Sequence, residues 1–439
     1  MSFRKDPALN WLFTLRFDKP PFLITVDVLA VVVVLYLIVR PTLRRTLVGL
    51  GIAAAGAALG WFSTWLFGDV LNFFGVEITP VTRMWAVLGG AAVALAIYNL
   101  FQSRWWRKLI AALSIPLFVL TAGAGINVEF GEYRNLNDVV GVVPFPDLAL
   151  HAERGEVANV GTDYTKGWTA LSPIPTKGEI GKIDIPATVS GFDAREAVVY
   201  LPPAALTPDP PVLPVLYAFS GQPGAPANVF TNGRLGAAMD AYAAKHGGMA
   251  PIVVAADQLG GPGRNPMCVD SAQFGRSATY LLVDVRKWIQ THFRVSSDPA
   301  SWSVFGYSQG ATCAVQFATA HPDIFGSALA SSSELGPTLG NPGTSIAAAF
   351  GGSAAAFRAA QPASIMSVHA PYPDSLIVFG AGQNDKRYTR FAETLRADAD
   401  AAGIRTALLI SPGSAHDWAT VRYVIAHGFP LIAAKMGLQ

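Results

Sequence analysis

The sequence predicts a multi-span α-helical membrane region followed by an α/β domain with a mostly parallel central sheet and helices on both faces. Three observations predict it. Four long apolar stretches crowd the first third of the 439-residue chain, and only 14% of all residues are charged, against about a quarter in an ordinary soluble protein. The remainder alternates short continuous apolar runs with helical stretches, the pattern of strands buried on both faces between helices. Charge divides the same way: residues 1–127 hold 11 Lys and Arg against 5 Asp and Glu, and the rest hold 21 against 25. A basic excess within the apolar part points to a lipid bilayer as its neighbour. There is no basic-aromatic stripe of the kind nucleic-acid binders carry, so no nucleic acid partner is expected.

The organisation reads as a membrane region over 1–127, a Gly- and Pro-rich juxtamembrane linker with early strands over 128–190, and the α/β domain over 191–439. The apolar stretches are 22–39, 47–67, 85–101 and 109–126, each near the roughly 20 residues a helix needs to cross a bilayer. Asp27 is the one acid among them and reads as interfacial. Trp61, Trp65, Trp85, Trp105 and Trp106 stand at or near the ends, where indoles favour the headgroup layer. Arg40, Arg44 and Arg45 follow the first stretch, and Arg104, Arg107 and Lys108 follow the third. The positive-inside rule then sets those loops in the cytoplasm and the α/β domain outside it, at the plasma membrane. Arg4, Lys5, Arg16 and Lys19 of the tail pull the other way and, with Arg83 after the second stretch, leave six basic residues inside against five outside.

In the second part, strands are expected at 197–201, 212–219, 251–256, 302–307, 328–331, 375–379 and 406–410. Helices are expected at 235–246, 278–292, 309–321, 389–402 and 418–434. Residues 335–370, rich in Ala, Gly and Ser, interrupt this alternation and form a candidate cap over a cleft. Cys268 and Cys313 are the two cysteines. One pair suits a disulfide in an oxidising compartment, and two free buried thiols would read the same.

Gly306-Tyr307-Ser308-Gln309-Gly310 fits G-x-S-x-G, with an apolar run before it and a small-residue helix after it. That is the strand–turn–helix context in which the motif exposes a serine nucleophile at a sheet edge. A serine hydroxyl needs a base to take its proton. Of seven histidines, His416 lies in a loop after the last strand and before the last helix, where the chain order Ser, acid, His requires it. The acid should follow a strand between them, and Asp385, after 375–379, is the candidate; Glu393, one helical stretch on, is the alternative. Asp417, beside the histidine, is a poorer choice because sequence neighbours seldom face each other. Oxyanion donors are expected from the N–H of Gln309, just after the nucleophile, and of Gln222, in the loop after 212–219. Neither a zinc-site spacing nor a P-loop or dinucleotide fingerprint is present, so no metal and no cofactor are expected.

Residues from about 195 to 435 resemble the α/β-hydrolase esterase family that includes esterase D and the bacterial mycolyltransferases. The likeness is carried by REAVVYLPP at 195–203, the run 214–220 leading into SGQPG, TYLLVDVRKWI at 279–289, FGYSQG at 305–310 and GSAHDW at 413–418. Within the family the chain resembles an actinobacterial membrane-anchored branch, in which a multi-span region precedes an extracytoplasmic esterase domain. The resemblance implies an α/β-hydrolase fold and a Ser-acid-His triad acting on esters, carried onto Ser308, Asp385 and His416. It also implies that Cys268, in NPMCVDS, and Cys313, in GATCA, pair near the site. Two departures matter. Ser220-Gly221 stands where many members have His-Gly. The mycolyltransferases carry their acid further along, on a helix, which keeps Glu393 in play.

The expected function is therefore that of a membrane-anchored extracytoplasmic serine esterase acting on lipid or cell-envelope esters through an acyl-enzyme. Two alternatives stand beside it. One is acyl transfer to a sugar, as in the mycolyltransferases. The other is a catalytically silent hydrolase fold serving as a binding module on a membrane anchor. A transporter role for the spans has little support, since they lack central charged residues.

Overall fold

The computed structural model describes residues 7–71, 73, 76–101, 104–150, 155–158, 168–170 and 172–438. Arg4 and Lys5 of the tail lie outside them. The chain divides into two compact units, Met1–Val142 and Val143–Gln439.

The first unit is dominated by four long helices, α1 (Pro20–Ile38), α2 (Leu43–Thr64), α3 (Pro80–Phe101) and α4 (Trp105–Phe130), with a π-helical turn, Trp65–Val70, prolonging α2. By length and composition each could cross a membrane. Three begin four or five residues ahead of their apolar runs, because LRRT, PVTR and WWRK form their first turns. Pro20 and Pro21 open α1 where a missing N–H costs nothing. Gly131, at φ 68°, closes α4 in the left-handed conformation that a side chain would resist.

Small residues set the contact of α2 with α3. A Cβ on Gly56 would collide with the Gly90 carbonyl oxygen and the Ala94 methyl, and one on Gly60 with the Ala86 carbonyl oxygen. The four-residue spacing of these glycines lets two backbones touch, as apolar helices do in lipid. Gly56→Leu should therefore separate α2 from α3, read as a lower melting temperature in detergent; a variant that melts like the parent would refute the contact. Large apolar side chains such as Val28, Val31, Val32 and Leu35 on α1, and Leu113 and Val119 on α4, point outward instead. Inside, the Arg107 guanidinium donates to the carbonyls of Tyr36, Leu37 and Val39 and to Asn99 Oδ1. One of the basic residues that biases sidedness thus also satisfies the orphan carbonyls at the end of α1.

The second unit is built on eight strands: β1 (Glu179–Ile183), β2 (Ala197–Leu201), β3 (Val215–Phe219), β4 (Ile252–Ala255), β5 (Trp302–Tyr307), β6 (Ser327–Ser331), β7 (Leu376–Gly382) and β8 (Arg405–Ser411). Their order across the sheet is β1-β2-β4-β3-β5-β6-β7-β8. The six from β4 to β8 pair in parallel, while β1 and β2 run antiparallel at one edge. Strands β2 to β7 are buried throughout, consistent with their continuous apolar runs. The helices that matter for the site are α5 (Gln309–Ala320), α6 (Lys386–Ala401) and α7 (Trp418–Lys435). Residues 335–370 fold as three short helices, Pro342–Ala349, Ala354–Ala359 and Pro362–His369. The last of them packs on α5 and α6.

Candidate active site

Ser308 joins β5 to α5 with φ 54° and ψ −118°, a strained backbone for a residue with a side chain. The flanking glycines make the turn physically available. A Cβ at Gly306 would collide with the Gly310 carbonyl oxygen, and one at Gly310 with the Phe219 and Ser220 carbonyl oxygens. Parallel strands all deliver their carboxyl ends to one edge, so the loops after β3, β5, β6, β7 and β8 converge there.

His416 reaches this edge from the loop after β8. Its Nε2 lies 2.9 Å from Ser308 Oγ, and its Nδ1 lies 2.9 Å from Asp385 Oδ2. The carboxylate at Nδ1 fixes the proton there, which leaves Nε2 free to accept the Ser308 hydroxyl proton. Asp385 is 2% exposed and His416 7%, so water screens neither contact much. Asp385 also caps α6, its Oδ1 accepting from the Tyr388 N–H at 3.2 Å. The imidazole lies among the rings of Tyr388, 4.2 Å away, and Tyr307, 5.2 Å away, which limit its rotation.

Three of the named residues thus meet. Glu393 does not join them: it sits two turns along α6 with an exposed side chain. Asp417 is spent on structure, its carboxylate accepting from the N–H of Ala415 at 2.8 Å and of Thr420 at 2.9 Å, at the start of α7. Gln309 opens α5, where a first-turn N–H has no intrahelical acceptor. The 220–224 loop packs against the serine, since a Cβ on Gly221 would lie 3.3 Å from Ser308 Cβ. The Gln222 side chain is turned away, donating to the Pro262 carbonyl at 3.4 Å.

Cys268 and Cys313 form a disulfide beside this site. The Gln309 side-chain amide donates to Cys313 Sγ at 3.3 Å and to Asn265 Oδ1 at 3.2 Å.

Sequence reasoning missed five contributors. The Arg195 guanidinium pairs with fully buried Asp257 at 2.8 Å and donates to the Gly224 carbonyl at 3.0 Å. Gln258 donates to the Ser220 carbonyl at 2.6 Å and to Gln309 Oε1 at 3.1 Å. Together they tie the 220–224 loop to α5. Tyr388, on α6, lays its ring against His416. Glu334, after β6, lines a tight crevice with Asn265, Gln309 and Thr312. Burial pushes its carboxyl up to about 7, against the opposing hydrogen bond from the Thr312 hydroxyl. Asp257-Gln258 directly after β4 was the available signal, since polar residues at the carboxyl end of a parallel strand belong to the site edge. A second, open depression lies at the opposite edge, around Leu213, Ile252 and Phe293, away from Ser308.

Comparison with known proteins decides the family. The family model described as "Putative esterase" matches residues 193–410. An uncharacterized protein of Corynebacterium glutamicum is 33% identical over 369 residues, covering 82% of this chain and 84% of the relative. The chain belongs to this esterase family. As a member it is a serine ester hydrolase. A ferulic acid esterase structure aligns with TM-score 0.50 and 16% identity, covering 59% of this esterase and 99% of that chain. That likeness shows the α/β-hydrolase fold. The S-formylglutathione hydrolase of Agrobacterium tumefaciens aligns with TM-score 0.48 and 19% identity, covering 61% and 100%. MPT51 of Mycobacterium tuberculosis aligns with TM-score 0.42 and 16% identity, covering 61% and 99%. The relative's 369-residue match is longer than the second unit, so it extends into the apolar helices.

Proposed function

We propose that this esterase is anchored in the plasma membrane by α1–α4 and cleaves acyl esters of lipids or the cell envelope on the outer side. The carrying observation is the pair of 2.9 Å hydrogen bonds from His416, one to Ser308 and one to Asp385. Ser308 Oγ attacks the ester carbonyl while His416 Nε2 takes its proton. Asp385 holds the imidazole in the useful tautomer and stabilises the cation that forms. The N–H groups of Gln309 and Gln222 receive the negative charge on the former carbonyl oxygen. His416 returns the proton to the leaving alcohol. Water, activated by the same imidazole, then releases the acyl group from Ser308. A sugar hydroxyl would release it by the same chemistry, so products formed with and without a sugar acceptor distinguish hydrolysis from transfer.

Three features support the anchored, outward reading. The helices present apolar side chains outward, which lipid accepts and water does not. The loop charges favour an external second unit. The disulfide suits an oxidising compartment. In intact cells a membrane-impermeant fluorophosphonate should label the protein as fully as it does after lysis. Labelling that appears only on lysis would put the site inside.

A further inference from the structure

The two donors assigned to the oxyanion sit on separate elements, Gln222 in the loop after β3 and Gln309 at the head of α5. One side chain reaches both carriers. Gln258 stands just past β4, the neighbour of β3 in the sheet, and is fully buried. Its Nε2 donates at 2.6 Å to the carbonyl of Ser220, two residues before Gln222, and at 3.1 Å to Gln309 Oε1. An amide nitrogen carries two hydrogens, and both are spent.

The direction of these bonds follows from fixed backbone groups at each end of the network. A carbonyl only accepts, so the Gln258 atom facing Ser220 is the amide nitrogen. Asn265 Oδ1 accepts from the Met267 N–H at 2.9 Å, so the Gln309 atom 3.2 Å from it is Nε2. Gln309 Oε1 is then turned to Gln258, where an acceptor is needed. The support is stiff as well. The Ser277 hydroxyl donates to the Gln258 carbonyl at 2.9 Å. The Asp257 carboxylate, paired with Arg195, accepts from the N–H groups of Leu259 and Gly260, each at 3.1 Å.

We infer that Gln258 is a positioning residue that holds the N–H groups of Gln222 and Gln309 in register on the oxyanion. It acts through the two elements it joins and takes no part in proton transfer. As the ester carbon becomes tetrahedral, its oxygen gains negative charge. Donors stabilise that charge best when they are already in place and need not reorganise during the reaction. A donor pair free to drift apart still admits the neutral ester, whose carbonyl oxygen asks little of it, but meets the charged oxygen less well. Loss of Gln258 therefore falls on kcat rather than on KM.

This inference rests on the reading above of Ser308, His416, Asp385 and the oxyanion donors. Two variants test it. Gln258→Met keeps the length and removes both donated bonds. Gln258→Asn keeps the amide but is one methylene short of reaching both acceptors. Activity is read with a soluble p-nitrophenyl ester, and sites are counted by end-point fluorophosphonate labelling. In each variant kcat per site should fall about tenfold, part of the roughly hundredfold or more that deleting an oxyanion donor costs. KM should stay within about twofold of the parent. A trifluoromethyl ketone, whose serine adduct places an alkoxide where the oxyanion forms, should bind weaker by the same factor as kcat falls. A purely structural role would lower the melting temperature and the number of labelled sites while leaving kcat per site and ketone affinity unchanged. That result in both variants overturns the inference. A raised KM with unchanged kcat also overturns it, because Gln258 would then serve substrate binding. Ser308→Ala separates the two levels. If it abolishes labelling while both Gln258 variants turn over like the parent, only the role of Gln258 fails. If Ser308→Ala still labels, both readings fail.

Discussion

Ser308→Ala is expected to lower ester hydrolysis by roughly a millionfold and to abolish fluorophosphonate labelling, because it removes the covalent route altogether. His416→Ala should cost about as much, since an unassisted serine hydroxyl is hardly a nucleophile. The double variant should be no worse than either single one, as groups acting in one step are lost together. Asp385→Asn should cost roughly ten-thousandfold. Its amide would donate to Nδ1, moving the proton to Nε2, where it can no longer take the one from Ser308. The fold should survive these changes. Ser308 makes no side-chain cap on α5, and asparagine at 385 can still cap α6. Asp385→Ala would add a stability loss of about 1 kcal/mol for the missing cap, so the asparagine variant is the cleaner probe. Losses that multiply in the Ser308→Ala/His416→Ala double variant would show the two residues working independently and would break the mechanism.

The reacting constellation was legible because each member announces itself locally. Gly306 and Gly310 mark a turn in which a side chain cannot fit, and His416 stands in a loop between a strand and a helix. Asp385 follows an apolar strand that runs three residues beyond its expected end, through Gly380-Ala381-Gly382, which pack too tightly to look like strand from composition. The sheet was readable where strands are buried on both faces. Composition set no bounds for β1, EIGKI, one of the early strands expected within 128–190, because a charged, half-buried edge position gives no apolar run. The supporting residues were not legible at all. Tyr388 and Glu334 read as ordinary helix and loop positions, and their meaning comes from tertiary approach across long sequence separations. Arg195 and Asp257 are alike in this: a guanidinium 62 residues from its carboxylate carries no pattern. Local grammar thus reports the atoms that react, while the groups that hold or tune them emerge only on folding.

Cys268→Ala/Cys313→Ala is expected to destabilise the second unit by about 4 kcal/mol and to lower its melting temperature by about 10 °C. The bond spans a sequence separation of 45, and a cross-link over that length withdraws this much chain entropy from the unfolded state. Both cysteines are 1% exposed, so alanine avoids burying an unpaired hydroxyl. Met267 and Cys268 also sit at φ 58° and 51°, and such left-handed positions persist only where the surroundings hold them. Without the bond this loop is free to relax, and Asn265, which it carries, then loses its grip on the Gln309 side chain. Since Gln309 heads the helix behind the nucleophile, kcat should fall along with stability, even well below the melting temperature. A reductant should reproduce both effects in the parent and neither in the double variant. A melting temperature within about 2 °C of the parent would show that the cross-link does not brace the fold, and unchanged kcat would show that the loop does not steady Gln309.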